Sequence, residues 1–339
     1  MLELIKKYVS VPAVSGDEKA LRDMILSDIS DFAEVNVDNM GNIIAFKKGK
    51  NRAKVKLMID AHLDEIGLII TGIDESGYLR FAKVGGIDNK VLFGRRVKIG
   101  DITGVVGGCP VHLLDADARK KVQKHDSLAI DIGAKDKADA EKYVKIGDTA
   151  VFETDCFDMG NKFAARALDD RLGCAVLVSL IRSELQYDMY FTFTVQEELG
   201  CRGAKVAAYT VSPQSAIVVE ATTAADVHGV LEEDKVCKLG EGAAVSFMDN
   251  GTVYDKDYYN AALCLAQQNG IKAQPKSAVA GGNNASKIHL TKSGVRTLAV
   301  SLPCRYIHSA YCVADKNDIT AVYDLVKLAS EKIASGELD

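Results

Sequence analysis

Two adjacent carboxylates, Glu197 and Glu198, follow an apolar and β-branched run at residues 190–195 that predicts a buried strand. In open α/β sheets, ligands collect at the carboxyl ends of the strands, so this pair marks a candidate site. Because neighbouring side chains on a strand point to opposite faces, the pair is suited to two different roles. One carboxylate can bind a metal ion while the other reaches a water molecule. Taken alone, such a dipeptide is more often a solvated strand end.

Further side chains with metal-ligand chemistry follow other predicted strands, or the turns just after them: His62, Asp64, Asp169, Glu220 and His308. Imidazole and carboxylate donors together suit Zn, Co or Mn, and no Cys takes part in the set. One catalytic Zn needs about three protein ligands. If Glu198 is counted as a ligand and Asp64 is not, the set offers five ligands, which with one bridging carboxylate would serve two metal ions. In the run from His62 to Asp64, the carboxylate can hold the second ring nitrogen of the histidine and fix its tautomer.

The composition narrows the class of protein. The 339 residues suit one large or two ordinary domains, and a hydrophobic content of 47% is ample for a packed core. The net charge of −5 comes from interspersed acids and bases, which predicts neither a nucleic-acid partner nor a membrane surface. There is no apolar signal core, no run long enough to span a bilayer, and no CxxC spacing among the eight Cys. We therefore expect a cytoplasmic protein.

Strands that alternate with helices predict an α/β fold with a mixed, largely parallel sheet flanked by helices. A first helix is expected at residues 2–9, and the capping-box spacing from Ser15 to Glu18 predicts the start of a second. Later helices are expected at residues 256–268 and 283–290, and a last one with Asp315 as its N-cap.

The pattern of the sequence changes between about residues 66 and 161. Short β-rich runs are broken there by Gly and Asp, and only residues 135–144 look helical. Such spacing indicates a compact β-barrel or sandwich, and we favour a small barrel. The predicted division is a catalytic α/β domain at 1–66 and 162–339, interrupted by an inserted β-rich domain at 67–161.

Four stretches, met in this order along the chain, together resemble the cocatalytic metalloaminopeptidases. They are residues 60–67 (DAHLDEIG), 166–173 (RALDDRLG), 196–200 (QEELG) and 306–309 (YIHS). Within that group the chain is similar to the family of glutamyl aminopeptidases and tetrahedral, dodecameric aminopeptidases, some of whose members carry an endoglucanase name. The resemblance covers nearly the whole chain.

The resemblance implies a ligand set for two divalent metal ions per subunit, with Zn expected and Co or Mn as alternatives. His62 and Glu220 would bind one ion, and Glu198 and His308 the other. Asp169 would bridge the two ions, with a cis peptide bond to the following residue.

The resemblance also implies roles outside the ligand set. Asp64 would orient His62, and Glu197 would be the general base. The inserted β domain would be a dimerisation domain, and dimers would assemble into a homo-oligomer such as a dodecamer. The substrates would be short peptides with a free N-terminus.

The chain departs from the family pattern in two places. Glu220 stands where the family often has Asp, and its longer arm can change metal affinity or preference. The segment 282–289 (GNNASKIH) resembles a family stretch Gly-Thr-Asp-Ala-Gly-Ala-Ile-His, but Asn284 replaces the Asp, and Ser286 and Lys287 replace small residues. Because that stretch lies near the cleft in the family, we expect these changes to bear on side-chain specificity.

The expected function is hydrolysis of the N-terminal peptide bond of short peptides. One alternative is a glycoside hydrolase that uses Glu197 and Glu198. That reaction needs two carboxyls facing each other across a sugar, about 5–9.5 Å apart, which neighbours on one strand do not provide. A second alternative is a metal-binding assembly protein that has lost catalysis. The intact Glu197 argues against it, whereas Asn284 and Lys287 keep it open.

Overall fold

The computed structural model describes residues 1–338. Its helices are α1 (Leu2–Val9), α2 (Lys19–Ile29), α3 (Lys137–Ala140), α4 (Leu168–Arg182), α5 (Arg202–Val211), α6 (Lys256–Gln268), α7 (Ala285–Ile288) and α8 (Lys316–Ala334). Its strands are β1 (Glu34–Val37), β2 (Ile43–Lys47), β3 (Leu57–His62), β4 (Gly67–Ile73), β5 (Leu79–Val84), β6 (Arg96–Ile99), β7 (Ile102–Gly107), β8 (Ala129–Asp131), β9 (Thr149–Phe152), β10 (Phe157–Met159), β11 (Lys162–Ala165), β12 (Met189–Thr194), β13 (Ser215–Thr223), β14 (Ala243–Val245), β15 (Ala273–Pro275), β16 (Arg296–Arg305) and β17 (Cys312–Asp315).

Eleven strands form one mixed sheet in the order β1-β2-β12-β3-β13-β16-β17-β11-β10, with β14 and β15 joined beside β16. At its centre, β12, β3, β13 and β16 are parallel neighbours, whereas the outer pairs are antiparallel. Parallel neighbours end at the same edge of a sheet, so the four central strands deliver their following loops to one place. The predicted α/β fold with a mixed sheet is confirmed.

Both faces of the central sheet are buried. Leu57 and Ile59 of β3 pack into a core with α1, α2, α4, α6 and α8, whereas Met58 between them packs with α5 and α7 on the opposite face. Full burial of one such side chain stabilises the fold by about 1.5–3 kcal/mol. This two-sided burial explains why the central strands read as continuous apolar runs rather than as alternating ones.

Six antiparallel strands close a separate barrel in the order β4-β5-β8-β7-β6-β9, which has its own apolar core. The strands of the barrel extend from Gly67 to Phe152, and β10 already pairs with β11 in the large sheet. Because closure leaves no unpaired strand edge, the barrel needs no cover. The expected small β-barrel is confirmed, and the division at 67–161 stays a prediction.

The predicted capping box before α2 is wrong. The Ser15 hydroxyl donates to Asp64 Oδ2 at 2.6 Å instead of capping the helix. Glu18 Oε1 accepts from the backbone N–H groups of Gly16 and Gln196, at 2.7 and 3.1 Å. Helix α2 therefore begins without a side-chain cap, because these polar side chains find stronger partners at the edge of the central sheet.

Of the other predicted helices, two have the predicted bounds and two are shorter than predicted. Helices α1 and α6 have the predicted bounds, and Asp315 caps α8 by accepting from the Asn317 N–H at 3.0 Å. The expected helices at 135–144 and 283–290 shrink to the single turns of α3 and α7. None of the helices between Met1 and Leu338 is long and apolar enough to cross a membrane.

One side chain near the end of α2 ties three helices together. Asp28 accepts hydrogen bonds from Lys7 Nζ at 2.7 Å, Tyr8 Oη at 2.8 Å and Arg182 Nη2 at 2.7 Å. Partial burial alone would raise the pKa of the Asp28 carboxyl, but the hydrogen bonds from Lys7 and Tyr8 outweigh it and hold the pKa below its usual value. The carboxylate thus joins α1, α2 and α4 on the face that supports the sheet.

Candidate metal centre and active site

The strand register brings the candidate residues to one edge of the sheet. His62 is the last residue of β3 and pairs with Thr194, the last residue of β12, so the Glu pair at 197–198 lies just beyond it. Glu220 lies within the carboxyl half of β13, and His308 follows the end of β16. Four neighbouring strands and the loops after them thus supply every predicted metal ligand except Asp169.

Asp169 lies between the two histidines, at the start of α4. Its Oδ1 is 3.2 Å from His62 Nε2, and its Oδ2 is 3.5 Å from His308 Nε2. The same His308 nitrogen is 3.4 Å from Glu198 Oε2, and ligand atoms of Asp169, Glu198 and His308 all lie within 4.8 Å of one another. The peptide bond from Asp169 to Asp170 is cis. One carboxylate therefore faces two imidazole nitrogens, as a bridging ligand requires.

Backbone carbonyls hold both histidines in the same orientation. His62 Nδ1 donates to the Asp64 carbonyl oxygen at 3.0 Å, and His308 Nδ1 donates to the Gly86 carbonyl oxygen at 3.2 Å. Because Nδ1 of each ring is held by a carbonyl oxygen, Nε2 is the nitrogen that faces Asp169 and that can bind a metal ion once it is unprotonated. This is the tautomer and outer support that metal-ligating histidines generally have.

The Asp64 side chain positions the Glu pair as well as the histidine. It is fully buried and lies 3.6 Å from His62 Nδ1. Its Oδ1 accepts from the Glu197 N–H at 2.8 Å, and its Oδ2 accepts from the Glu198 N–H at 3.1 Å. Burial opposes ionisation of Asp64, but the neighbouring His62 imidazole outweighs it and lowers the pKa of the carboxyl. Asp64 therefore ties the end of β3 to the end of β12.

A buried ion network fixes the loop after β3, and the sequence reading did not find it. Glu65 accepts from Arg166 Nη1, from Arg171 Nη2 at 2.9 Å and from the Ala13 N–H at 3.0 Å. Arg171, which is completely buried, also donates to the Leu63 carbonyl oxygen. Because breaking a buried ion pair costs about 3–5 kcal/mol, the network holds the loop and the start of α4 in one arrangement.

The barrel contributes a glycine pair to the site. A Cβ atom on Gly85 would lie 3.2 Å from Glu198 Oε2, and one on Gly86 would lie 3.0 Å from His308 Nδ1. Only a residue without a side chain lets the turn after β5 approach this closely. In the sequence they are two of the glycines that break the short β-rich runs, and only their adjacency sets them apart.

The electrostatics of the cleft favour bound cations. Burial, followed by the charge of Asp169, raises the pKa of Glu198 to about 8. Burial, followed by the charge of Glu197, raises the pKa of Glu220 well above its usual value, and the pKa of Glu197 is raised chiefly by burial. Within residues 1–338, no Lys or Arg forms an ion pair with these three glutamates or with Asp169. Oxygen and imidazole donors that are clustered without a Lys or Arg counter-charge fit divalent metal ions.

The histidines hold protons that a metal ion would displace. Burial lowers the pKa of His308, but its hydrogen bond to Asp169 and the charge of Glu198 outweigh burial and bring the pKa to about 9. The pKa of His62 is likewise raised, because hydrogen bonds to Asp169 and Asp64 outweigh burial. Since a ligand histidine must be unprotonated, metal binding here strengthens as pH rises.

A small cleft opens beside this cluster, with a volume of about 270 Å³. Its walls contain His62, Asp169, Glu197, Glu220, Thr222, Val236, Lys276, Gly281, Gly282, Ile307 and His308. Its size is just below the range of about 300–1,000 Å³ that is usual for drug-sized ligands. The cleft therefore suits a small group such as a terminal amino-acid residue.

The residues that depart from the family pattern at 282–289 lie behind or beside the cleft. The Asn284 amide donates to Asp60 Oδ2 at 2.7 Å and to Thr194 Oγ1 at 2.8 Å, beneath the sheet edge. Ser286 Oγ donates to Cys201 Sγ at 3.6 Å, and Lys287 lines a different surface cavity. Of the residues described in this segment, only Gly282 lines the cleft.

The whole chain is similar to known proteins in sequence and in fold. Residues 41–325 match the family model described as M42 glutamyl aminopeptidase. The lysyl aminopeptidase of Pyrococcus furiosus is 32% identical over 98% of this chain and 97% of its own length. The solved aminopeptidase of the archaeon Desulfurococcus kamchatkensis superposes with a TM-score of 0.94, at 33% identity over 99% of this chain and 96% of the other. The TET1 peptidase of Pyrococcus horikoshii, which can assemble into a tetrahedron or a large octahedral shell, gives a TM-score of 0.85 at 35% identity over 98% of both chains.

Proposed function

The chain belongs to the M42 glutamyl aminopeptidase family of metal-dependent peptidases, and we propose that it hydrolyses the N-terminal peptide bond of short peptides with Glu197 as the general base. Family membership agrees with the resemblance carried by the four sequence motifs. The observation that carries the proposal is the arrangement around Asp169. His62 and His308 both direct Nε2 at this carboxylate, while backbone carbonyls hold their Nδ1 atoms.

Two divalent metal ions, with Zn expected and Co or Mn as alternatives, would be held in this donor set. His62 and Glu220 would hold one ion, Glu198 and His308 the other, and Asp169 would bridge them. When bound, such a pair lowers the pKa of a water molecule and polarises the carbonyl to be attacked. This assignment is supported by the raised pKa values of the clustered glutamates and by the backbone carbonyls that hold Nδ1 of both histidines.

Glu197 moves the proton in the proposed reaction. Its carboxylate takes a proton from the attacking water and returns it to the leaving amine. The Asp64 carboxylate holds the Glu197 backbone N–H at 2.8 Å, and the Cys201 thiol donates to Glu197 Oε1 at 3.2 Å. The raised pKa of the buried Glu197 carboxyl suits a group that must hold a proton between the two steps. Sequence reasoning did not identify Cys201, because nothing about its spacing distinguishes it from the other cysteines.

The first test is hydrolysis of aminoacyl reporter substrates by chelated protein to which Zn, Co or Mn is returned. Turnover that is lost on chelation and restored by metal supports the proposal. Glu197→Gln should keep its metal ions and lose about 10²–10⁴-fold in kcat, the contribution of general acid–base catalysis. Glu184→Gln, at an exposed position, serves as the matched control. Normal turnover by Glu197→Gln would rule out its role as the base.

We also propose that the barrel is the dimerisation domain and that dimers assemble into a dodecamer. Large apolar side chains are exposed on the barrel and its loops: Phe93, Val111, Leu113, Val122 and Ile146. Exposed apolar surface of this kind generally marks an interaction site. A solution mass measured by light scattering tests the proposal, and a monomer at micromolar concentration would contradict it.

A further inference from the structure

One basic side chain in the wall of the cleft is buried. Lys276 follows β15, and its backbone N–H donates to the Val245 carbonyl oxygen at 2.9 Å. The residue is only 5% exposed, and it lines the same cleft as Glu197 and Glu220. Lysine is almost never buried to this extent unless its charge is paired, because an unpaired ammonium loses its hydration. The position therefore calls for a partner.

The protein supplies Lys276 with only a neutral partner. Its Nζ donates to the Ala280 carbonyl oxygen at 3.0 Å, in the loop whose next two residues, Gly281 and Gly282, also line the cleft. No carboxylate of residues 1–338 lies within 4.0 Å of this ammonium. An ammonium has three donors, so two remain for a group that enters the cleft.

We propose that Lys276 binds the side-chain carboxylate of an N-terminal Glu or Asp residue of the peptide substrate, an inference that rests on the proposed function. A carboxylate that enters the cleft supplies the missing counter-charge and accepts charge-assisted hydrogen bonds in a site with little water. An N-terminal Lys or Arg would instead bring a second cation against a buried one. The specificity is therefore for acidic residues, with Lys276 as its determinant.

Sequence similarity alone does not decide between acidic and basic N-terminal residues as substrates. The matching family model is described by a glutamyl activity, whereas the Pyrococcus furiosus relative at 32% identity is a lysyl aminopeptidase. The two activities need opposite charges in the substrate pocket, so the charge of the pocket wall decides between them. A site built to hydrogen-bond a substrate group rejects an analogue that lacks it far more strongly than a purely apolar site does.

A different role for Lys276 would give a different kinetic result. The cleft holds several carboxylates, and the lysine could simply offset their charge. In that case its removal would weaken metal binding and lower the hydrolysis of every substrate by a similar factor. A specificity role instead predicts a loss confined to acidic substrates, seen mainly in KM and kcat/KM.

The test measures kcat/KM of the metal-loaded protein for Glu, Gln, Leu and Lys aminoacyl reporters. We expect the parental protein to prefer Glu over Gln by about 10- to 100-fold, the ratio for one hydrogen bond to a charged group. Lys276→Gln should lose that preference, because kcat/KM falls more for the Glu reporter than for the Gln and Leu reporters. Lys276→Glu should shift the preference toward the Lys reporter. Lys272→Gln is the matched control, because the exposed Lys272 also donates to a backbone carbonyl oxygen, that of Gly240, but does not line the cleft.

The possible results separate a failure of the specificity inference from a failure of the proposed function. A parental protein that cleaves Gln or Lys reporters as well as Glu overturns the inference and leaves the proposed function intact. So does an equal loss toward all substrates in Lys276→Gln. If the metal-loaded parental protein cleaves no reporter, the proposed function itself fails and the inference fails with it. The parental Glu-to-Gln ratio needs no variant, so a Lys276 variant that does not fold leaves this comparison decisive.

Discussion

Replacing Asp64 by Asn tests whether this buried carboxylate positions Glu197, the proposed general base. The substitution keeps the size and shape of the side chain and removes its charge. Asp64 accepts three hydrogen bonds, from Ser15 Oγ at 2.6 Å, the Glu198 N–H at 3.1 Å and the Glu197 N–H at 2.8 Å. The first two fall on Oδ2 and the third on Oδ1, so the carboxylate uses both oxygens.

The size of the effect follows from this geometry. An Asn side chain has one acceptor oxygen, which can take the place of Oδ2 and keep the bonds from Ser15 and the Glu198 N–H. Its amide nitrogen then faces the Glu197 N–H, where a donor meets a donor. One hydrogen bond to a charged group is lost, which is worth about 1.5–3 kcal/mol, and the backbone of Glu197 must move. Replacing such an outer partner typically lowers metal affinity or activity by about 10- to 100-fold.

The assay combines kcat on an aminoacyl reporter with the metal dissociation constant from competition with a chelator. Asp64→Asn should lower kcat more than it weakens metal binding, because Glu197 is displaced while the ligand atoms stay bonded to their own supports. Ser15→Ala is the control, since it removes one bond to Oδ2 and leaves both contacts to the Glu pair, and it should cause a smaller loss. If kcat and the metal affinity of Asp64→Asn both equal the parental values, the positioning argument is refuted.

Two further substitutions test other parts of the structure. Gly86→Ala places a Cβ 3.0 Å from His308 Nδ1, so the ring must shift and the metal affinity should fall by about 10-fold. Gly107→Ala is the control, because the space at its Cβ is open and the metal affinity should stay unchanged. A chelator titration measures both variants. Asp28→Asn should lower the free energy of unfolding by about 1–3 kcal/mol at pH 7. Because the pKa of Asp28 is held below its usual value of 3.8, the stabilisation is present above that pH and is lost as the pH falls through the lower folded-state pKa. Urea unfolding at pH 7, 4 and 3 measures it, and a difference between parent and Asp28→Asn that stays constant with pH would contradict the assignment.

The sequence predicted the elements of the site because each lies at the end of an apolar run. His62 closes β3, whereas β13 continues to Thr223, so short patterns placed His62 at a strand end and Glu220 near one. The parallel order of the central strands then brings these ends together, and this follows from the alternation of strands and helices along the chain.

What the sequence could not predict are pairings between residues far apart in the chain. Glu65 and Arg166 are separated by 101 positions, and Gly86 and His308 by 222, so no local pattern relates their positions. The capping-box prediction at Ser15 failed for the same reason. A local rule assigned its hydroxyl to the helix, whereas Asp64, 49 residues further on, offered a charged acceptor. Tertiary partners of this strength override local propensity.

Asn284 and Lys287 kept open the alternative of a protein that has lost catalysis, and the contacts of Asn284 change that argument. In the family pattern an Asp stands here, and a carboxyl group next to the buried Asp60 would have to hold a proton, because two carboxylates at hydrogen-bond distance do not both ionise. The Asn284 amide supplies that hydrogen permanently, donating to Asp60 at 2.7 Å, and burial, opposed by hydrogen bonds from Thr192 and Asn284, still brings the pKa of Asp60 to about 7. The substitution therefore preserves the donor beneath β3, two residues before His62, and alters no group that faces the cleft. Among the described residues that line the cleft, Lys276 is the one lysine or arginine, and a buried cation at that position points to the choice of substrate rather than to the loss of the reaction.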